Sequence, residues 1–230
     1  MSVNYYTDEA LETIARKVIS KFDRDLLYKS LPIPVENIME KAYGLTIEYQ
    51  YIRKNGRILG ETVFEDAEIP IYEHGDNGGY KLIIVKAGTV IIDASLLHEN
   101  SNNGRLRFTC AHELAHWVID KNYFLHLGET ANMSSSAVDT EFADEFFDPE
   151  LLKHKRDVPI KVVRSSDTNN AIERQANRMA SRILMPKCTV KPAFYHARKQ
   201  TTNVVTRLAI LFGVSKQAMK IRLEELGLLE

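Results

Sequence analysis

The chain has 230 residues, enough for one large domain or two small ones with a real core. Hydrophobic residues make up 44% and charged residues 27%, ordinary values for a soluble globular protein. The net charge of −1 excludes a global pull toward nucleic acid or anionic membrane and leaves that work to a local basic face only.

The N-terminus, MSVNYYTDEALETIARKVISKF, lacks the basic start and apolar run of a secretory leader. No apolar stretch approaches the roughly 20 residues of a membrane span, so a cytoplasmic location is expected. Over residues 7–22, Leu11, Ile14, Ala15, Val18 and Ile19 recur at helical spacing, with Thr7 as the cap. LPIPVENIMEKAYGL then predicts a turn and a short helix that Gly44 ends. LTIEYQYI is rich in β-branched and aromatic residues and predicts a strand. ILGETVFEDAEIPIYE and KLIIVKAGTVIID predict further strands around a hairpin loop, HGDNGGY, so residues 45–94 are expected to form one small, mostly antiparallel sheet.

ENSNNGR, residues 99–105, reads as a polar loop, with a helix over 108–121 after it. Residues 124–170 mix small, acidic and aromatic residues and predict a long connection with a short helix near 138–147. NAIERQANRMASRILMP predicts a helix over 171–185 stopped by Pro186. A helix near 190–198 and a helix pair around Gly213 complete the chain. The expected class is α+β. Residues 1–187 form the main domain, with the sheet packed on the 108–121 helix, and 188–230 a helical, helix-turn-helix-like part.

The chemistry concentrates in RLRFTCAHELAHWVID, residues 105–120. Helix positions four apart share a face, so His112 and His116 present two imidazoles to one point, as zinc requires. Glu113 lies too far round the helix to bind metal well and is placed to hold a water as general base. Phe108, Leu114, Ala115, Val118 and Ile119 give the helix an apolar frame. A catalytic zinc takes a third protein ligand and keeps a place for water. Glu173 is our choice for that ligand, because Ala176 and Ala180 on its helix are small enough for close approach. Asn177, one turn on, suits the hydrogen bond that fixes a ligand imidazole. Glu141, Asp144, Glu145, Asp148 and His126 compete as third ligands. Cys110 and Cys188 are too few for a disulfide scaffold and read as buried or idle thiols.

RLRFTCAHELAHWVID together with IERQANRMASRILMP resembles the ImmA/IrrE family of zinc metallopeptidases, with Met179 and Ile183 standing where the family has Phe and Leu. PVENIMEKAYGLTIEY and FGVSKQAMKIRLEELGLL resemble its flanks. The resemblance implies a zincin-like core, His112, His116 and Glu173 as ligands of one Zn2+ per chain (with Mn2+ as a substitute), and Glu113 as general base. It also implies a protein substrate, such as a helix-turn-helix repressor encoded nearby or on a mobile element. The 56 residues between His116 and Glu173 depart from a minimal family member.

Peptide hydrolysis also needs a donor to the oxyanion, and Tyr123, Tyr195 and His196 are the candidates. The runner-up function is a DNA-binding regulator with a structural or sensory metal. Ala209, Gly213 and Met219 fit helix-turn-helix spacing, and Lys216, Lys220 and Arg222 lie on the second helix. Glu224 and Glu225 offset those basic residues.

Overall fold

A computed structural model describes residues 5–52, 59–72, 79–97, 103–125, 162–164 and 170–229. The architecture is α+β, mostly helical with two small sheets. The first helix, α1 (Asp8–Phe22), starts where expected: the Thr7 hydroxyl accepts from the Ala10 amide and satisfies one orphan donor of the first turn. Leu11, Ala15, Val18 and Ile19 are its buried stripe. A 3₁₀ turn (Arg24–Leu27) follows, then α2 (Val35–Asn37), which widens into a π-helical turn over Ile38–Ala42. Gly44, at φ 65°, takes the left-handed conformation that ends it.

The strands are β1 (Thr46–Gln50), β2 (Gly60–Val63), β3 (Ala67–Tyr72), β4 (Tyr80–Val85), β5 (Thr89–Asp93) and β6 (Val162–Arg164). The single sheet expected over 45–94 divides in two. Four strands run in the order β1-β5-β2-β6, and β3 pairs only with β4, antiparallel as a hairpin requires. Most of the HGDNGGY loop lies outside the described residues. β1 and β5 are parallel, β2 is antiparallel to both β5 and β6, and β6 comes from far outside the expected range. Alternation along a strand states which face is buried but not which strand lies alongside, so the pairing was invisible locally. β5 is buried along its whole length. Val90 and Ile92 face the main core, while Ile91 joins Ile52, Val63, Ala67, Ile69 and Val85 in a smaller one.

The helix that carries the histidines, α3 (Gly104–Ala115), begins four residues before Phe108 and turns π-helical over His116–Asp120. Tertiary packing explains the early start. A Cβ on Gly104 would lie 3.1 Å from the Ser215 amide nitrogen, a tight contact, so glycine lets α3 meet that backbone without displacing it. Arg107 fastens the same turn: its Nε donates to the Gly213 carbonyl at 3.1 Å and its Nη2 to the Ile33 carbonyl at 2.8 Å.

Helix α4 (Asn170–Leu184) packs on α3 and α1 and stops before Pro186. Ala176, Met179, Ala180 and Ile183 are wholly buried there. The chain ends in α5 (Lys187–Arg198), α6 (Val204–Phe212) and α7 (Lys216–Glu225). Gly213 caps α6 in the left-handed conformation, and the Ser215 side chain caps α7 by accepting from Ala218. Val190, Phe194, Leu208, Phe212 and Leu223 belong to the same core cluster as Leu11, Leu114 and Met179, so one core runs across the 187/188 boundary. The short helix expected near 138–147 lies outside the described residues. Among the described residues, no helix is long and apolar enough to cross a membrane.

Arg222 departs from expectation. It is 1% exposed, not on an outer basic face. Its Nε donates to the Met185 carbonyl, and its guanidinium pairs with Glu12 of α1 and with Glu225. Arg182 of α4 joins the same network through Asp8 and Glu12. The charges that looked free for a polyanion are thus partly spent inside the fold, and Lys220 pairs with Glu224.

Candidate metal centre

The last turn of α3, the π-helical turn after it and the first turn of α4 bring His112, His116 and Glu173 together. One ligand atom from each lies within 4.8 Å of the other two. The imidazole Nε2 atoms are 3.0 Å apart. Glu173 Oε2 is 3.2 Å from His112 Nε2, and its Oε1 is 3.4 Å from His116 Nε2. Ligands at 2.0–2.1 Å from a tetrahedral ion stand about 3.3 Å from each other. Glu173 thus turns one oxygen toward each imidazole, and the three side chains converge closely enough to share one metal ion.

Each imidazole is held from behind. His112 Nδ1 is 3.0 Å from Asn177 Oδ1, the contact expected from the one-turn spacing to Glu173. That oxygen accepts only, so His112 carries its proton on Nδ1 and turns a lone pair inward from Nε2. His116 Nδ1 is 2.9 Å from Asp120 Oδ2, and Asp120 is 2% exposed. Sequence reasoning missed Asp120. The signal was present in HWVID, a carboxylate four residues after a candidate ligand histidine and so on the same face.

Glu113 is 1% exposed. Its Oε2 accepts from the Thr62 hydroxyl at 2.7 Å, and its Oε1 has no hydrogen-bond partner among the described residues. A buried carboxylate oxygen left without a donor is costly, and here it belongs to the one residue that a water-activating centre needs free. Burial raises the Glu113 pKa, against the lowering influence of His112 and His116. Burial pulls the His116 imidazole down, yet hydrogen bonds to Asp120 and Glu173 and the charge of Glu113 outweigh it and push it up to about 10. Asp120, Glu113 and Glu173 thus favour positive charge at the imidazoles, and the donor set of two nitrogens and one oxygen suits zinc.

The other expectations fall elsewhere. Tyr123 packs edge-on against Phe124, Tyr195 is 55% exposed on α5, and His196 accepts from Gln200 at 3.0 Å. Among the described residues, no hydrogen bond ties these three to the His112–His116–Glu173 cluster. The competing ligands His126, Glu141, Asp144, Glu145 and Asp148 lie outside the described residues. Cys110 is buried within α3, where burial pushes its thiol up out of the reactive range, and Cys188 is exposed.

No curated protein matches the chain. A solved structure, a Mycobacterium tuberculosis transcriptional regulator, is similar at 14% identity and a TM-score of 0.47. The similarity covers 96% of this chain and 48% of that one, so the chain spans about half the length of the structure it matches. The model of the Peptidase M78 family, the IrrE N-terminal-like domain, matches residues 150–224, a segment that contains Glu173 and Asn177 and begins after the H-E-x-x-H helix. Over residues 150–224 the chain is therefore similar to the ImmA/IrrE family, which supports the resemblance carried by IERQANRMASRILMP.

Proposed function

We propose that the protein is a zinc-dependent endopeptidase with a zincin-like core, acting on a protein substrate. His112, His116 and Glu173 hold the metal, and Glu113 is the general base. The observation that carries this is the convergence of three ligand side chains, one atom of each within 4.8 Å of the others, beside a buried glutamate with one oxygen unpartnered among the described residues. The family match over residues 150–224 supports a peptidase-type function alongside that geometry.

A zinc ion held there supplies Lewis acidity, making water ionisable near a pH of about 7 and drawing electron density from a scissile carbonyl. The protein does the rest. Asn177 and Asp120 hold the two imidazoles so that both Nε2 atoms face the same point. Glu113 Oε1 takes the proton of the attacking water and passes it to the departing amine. The apolar packing around α3, with Leu114 and Ala115 wholly buried, keeps bulk water from this carboxylate and so sharpens its electrostatics.

The substrate we favour is a helix-turn-helix repressor encoded nearby. The DNA-binding alternative loses support from the buried pairing of Arg222 and from Lys220–Glu224. The test is to incubate the zinc-loaded wild type and Glu113→Gln with repressors encoded beside the gene. The wild type should make one discrete cut that chelation abolishes, and Glu113→Gln should keep its zinc and cut nothing. Equal cutting by Glu113→Gln would remove Glu113 from the mechanism. Salt-dependent binding to a defined DNA duplex without any cleavage would favour the regulator instead.

A further inference from the structure

We propose that Gly60 and Thr62 of β2 form a seat that aims Glu113, making them positioning residues for the reaction; this rests on the peptidase reading above. A glutamate side chain has free torsions, and nothing in the α3 helix itself decides where its carboxylate points. The strand decides it. The Thr62 hydroxyl is 2.7 Å from Glu113 Oε2 and 3.3 Å from the Glu113 carbonyl oxygen, and Thr62 is wholly buried. One carboxylate oxygen is thereby engaged and the other, Oε1, is without a hydrogen-bond partner among the described residues.

Gly60 supplies the room. Alternate residues of a strand share a face, so Gly60 and Thr62 both look toward α3. A Cβ on Gly60 would run into Glu113 Oε1 and lie 2.8 Å from its Cδ and Cγ. Any other residue at position 60 therefore displaces the carboxylate, and the hydrogen bond from Thr62 would have to stretch or break.

The seat is also rigid. β2 is paired on both sides, with β5 at Gly60–Thr62 and with β6 at Glu61–Val63. A side chain aimed from a strand clamped in this way holds its geometry better than one aimed from a loop. The aim matters because a base displaced by about an ångström loses much of its effect.

The test uses the full chain loaded with zinc and acetohydroxamic acid as the probe. This small ligand chelates the metal and offers an O–H proton to a neighbouring carboxylate. Thr62→Val keeps the side-chain shape and removes only the hydroxyl, and Thr62→Ser restores it. Zinc affinity, read by competition with a chromophoric chelator, should be unchanged in both. Calorimetric hydroxamate affinity should fall about tenfold or more in Thr62→Val, the loss of one hydrogen bond to a charged group, and return to the wild-type value in Thr62→Ser. Gly60→Ala should weaken the probe while keeping zinc. Unchanged hydroxamate binding in Thr62→Val, or no recovery in Thr62→Ser, overturns the seat alone. A wild type that takes zinc but binds no hydroxamate overturns the peptidase reading and the seat together.

Discussion

Removing the carboxylate of Asp120 should weaken zinc binding without touching a ligand. The Asp120 oxygen is 2.9 Å from His116 Nδ1, and both side chains are buried. The carboxylate orients the ring and makes its other nitrogen a better donor to the metal. Loss of such a partner costs about 10- to 100-fold in metal affinity, equivalent to about 1.4–2.8 kcal/mol. Asp120→Asn keeps an oxygen that accepts from Nδ1–H and loses only the charge, so it belongs near the tenfold end. Asp120→Ala also strands the buried N–H and belongs near the hundredfold end. The assay is competitive zinc titration against a chelator of known affinity, with thermal unfolding of the metal-free variants to confirm that both fold. Wild-type zinc affinity in Asp120→Ala would refute the claim that this carboxylate organises the centre.

Gly104→Ala should destabilise by about 1 kcal/mol, overpacking against the Val214–Ser215 backbone outweighing the gain in helix propensity; urea unfolding reads it, and a rise in midpoint contradicts the tight α3 start. Arg222→Met leaves the Met185 carbonyl and Glu12 short of a donor and should cost about 3 kcal/mol, with Glu12→Gln recovering part of that in the double variant. Strict additivity in that cycle would show that the two groups do not interact. Asp8 is held below its usual pKa of 3.8 by the hydrogen bond from Arg178, so its folded form prefers the carboxylate. The stability it contributes is present above that value and is lost as pH falls through the lowered one. Asp8→Asn should therefore be less stable than the wild type near neutrality and equal to it in strong acid, and denaturation at the two pH values checks this.

Regular helices were legible in the sequence because one residue pattern states both the helix and its buried face. Leu11, Ala15, Val18 and Ile19 are the clearest case, and Thr7 caps them as its chemistry dictates. The helices that carry His112, His116, Glu173 and Asn177 were legible for the same reason, since ligand spacing is helical geometry. The sheet was not. The pattern in TVIID shows a strand buried on both faces but cannot name β1 and β2 as its neighbours. Thr62 and Gly60 went unseen because they reach Glu113 across 51 residues of sequence or more. Arg222 was misplaced because its partners Glu12 and Met185 come from distant elements, and a basic residue on a short amphipathic helix ordinarily faces solvent. Asp120 needed no distant partner. It required carrying the i, i+4 argument one turn past the second histidine.

The most direct measurement of the central claim is the zinc content of the purified wild type and of Glu173→Ala by native mass spectrometry. Glu173 is the proposed ligand that only the fold brings to the histidines, since it arrives from a different helix. The account predicts one zinc per wild-type chain and a largely metal-free Glu173→Ala that remains folded. A Glu173→Ala protein carrying a full equivalent of zinc, or a wild type that takes none when zinc is supplied, would contradict it.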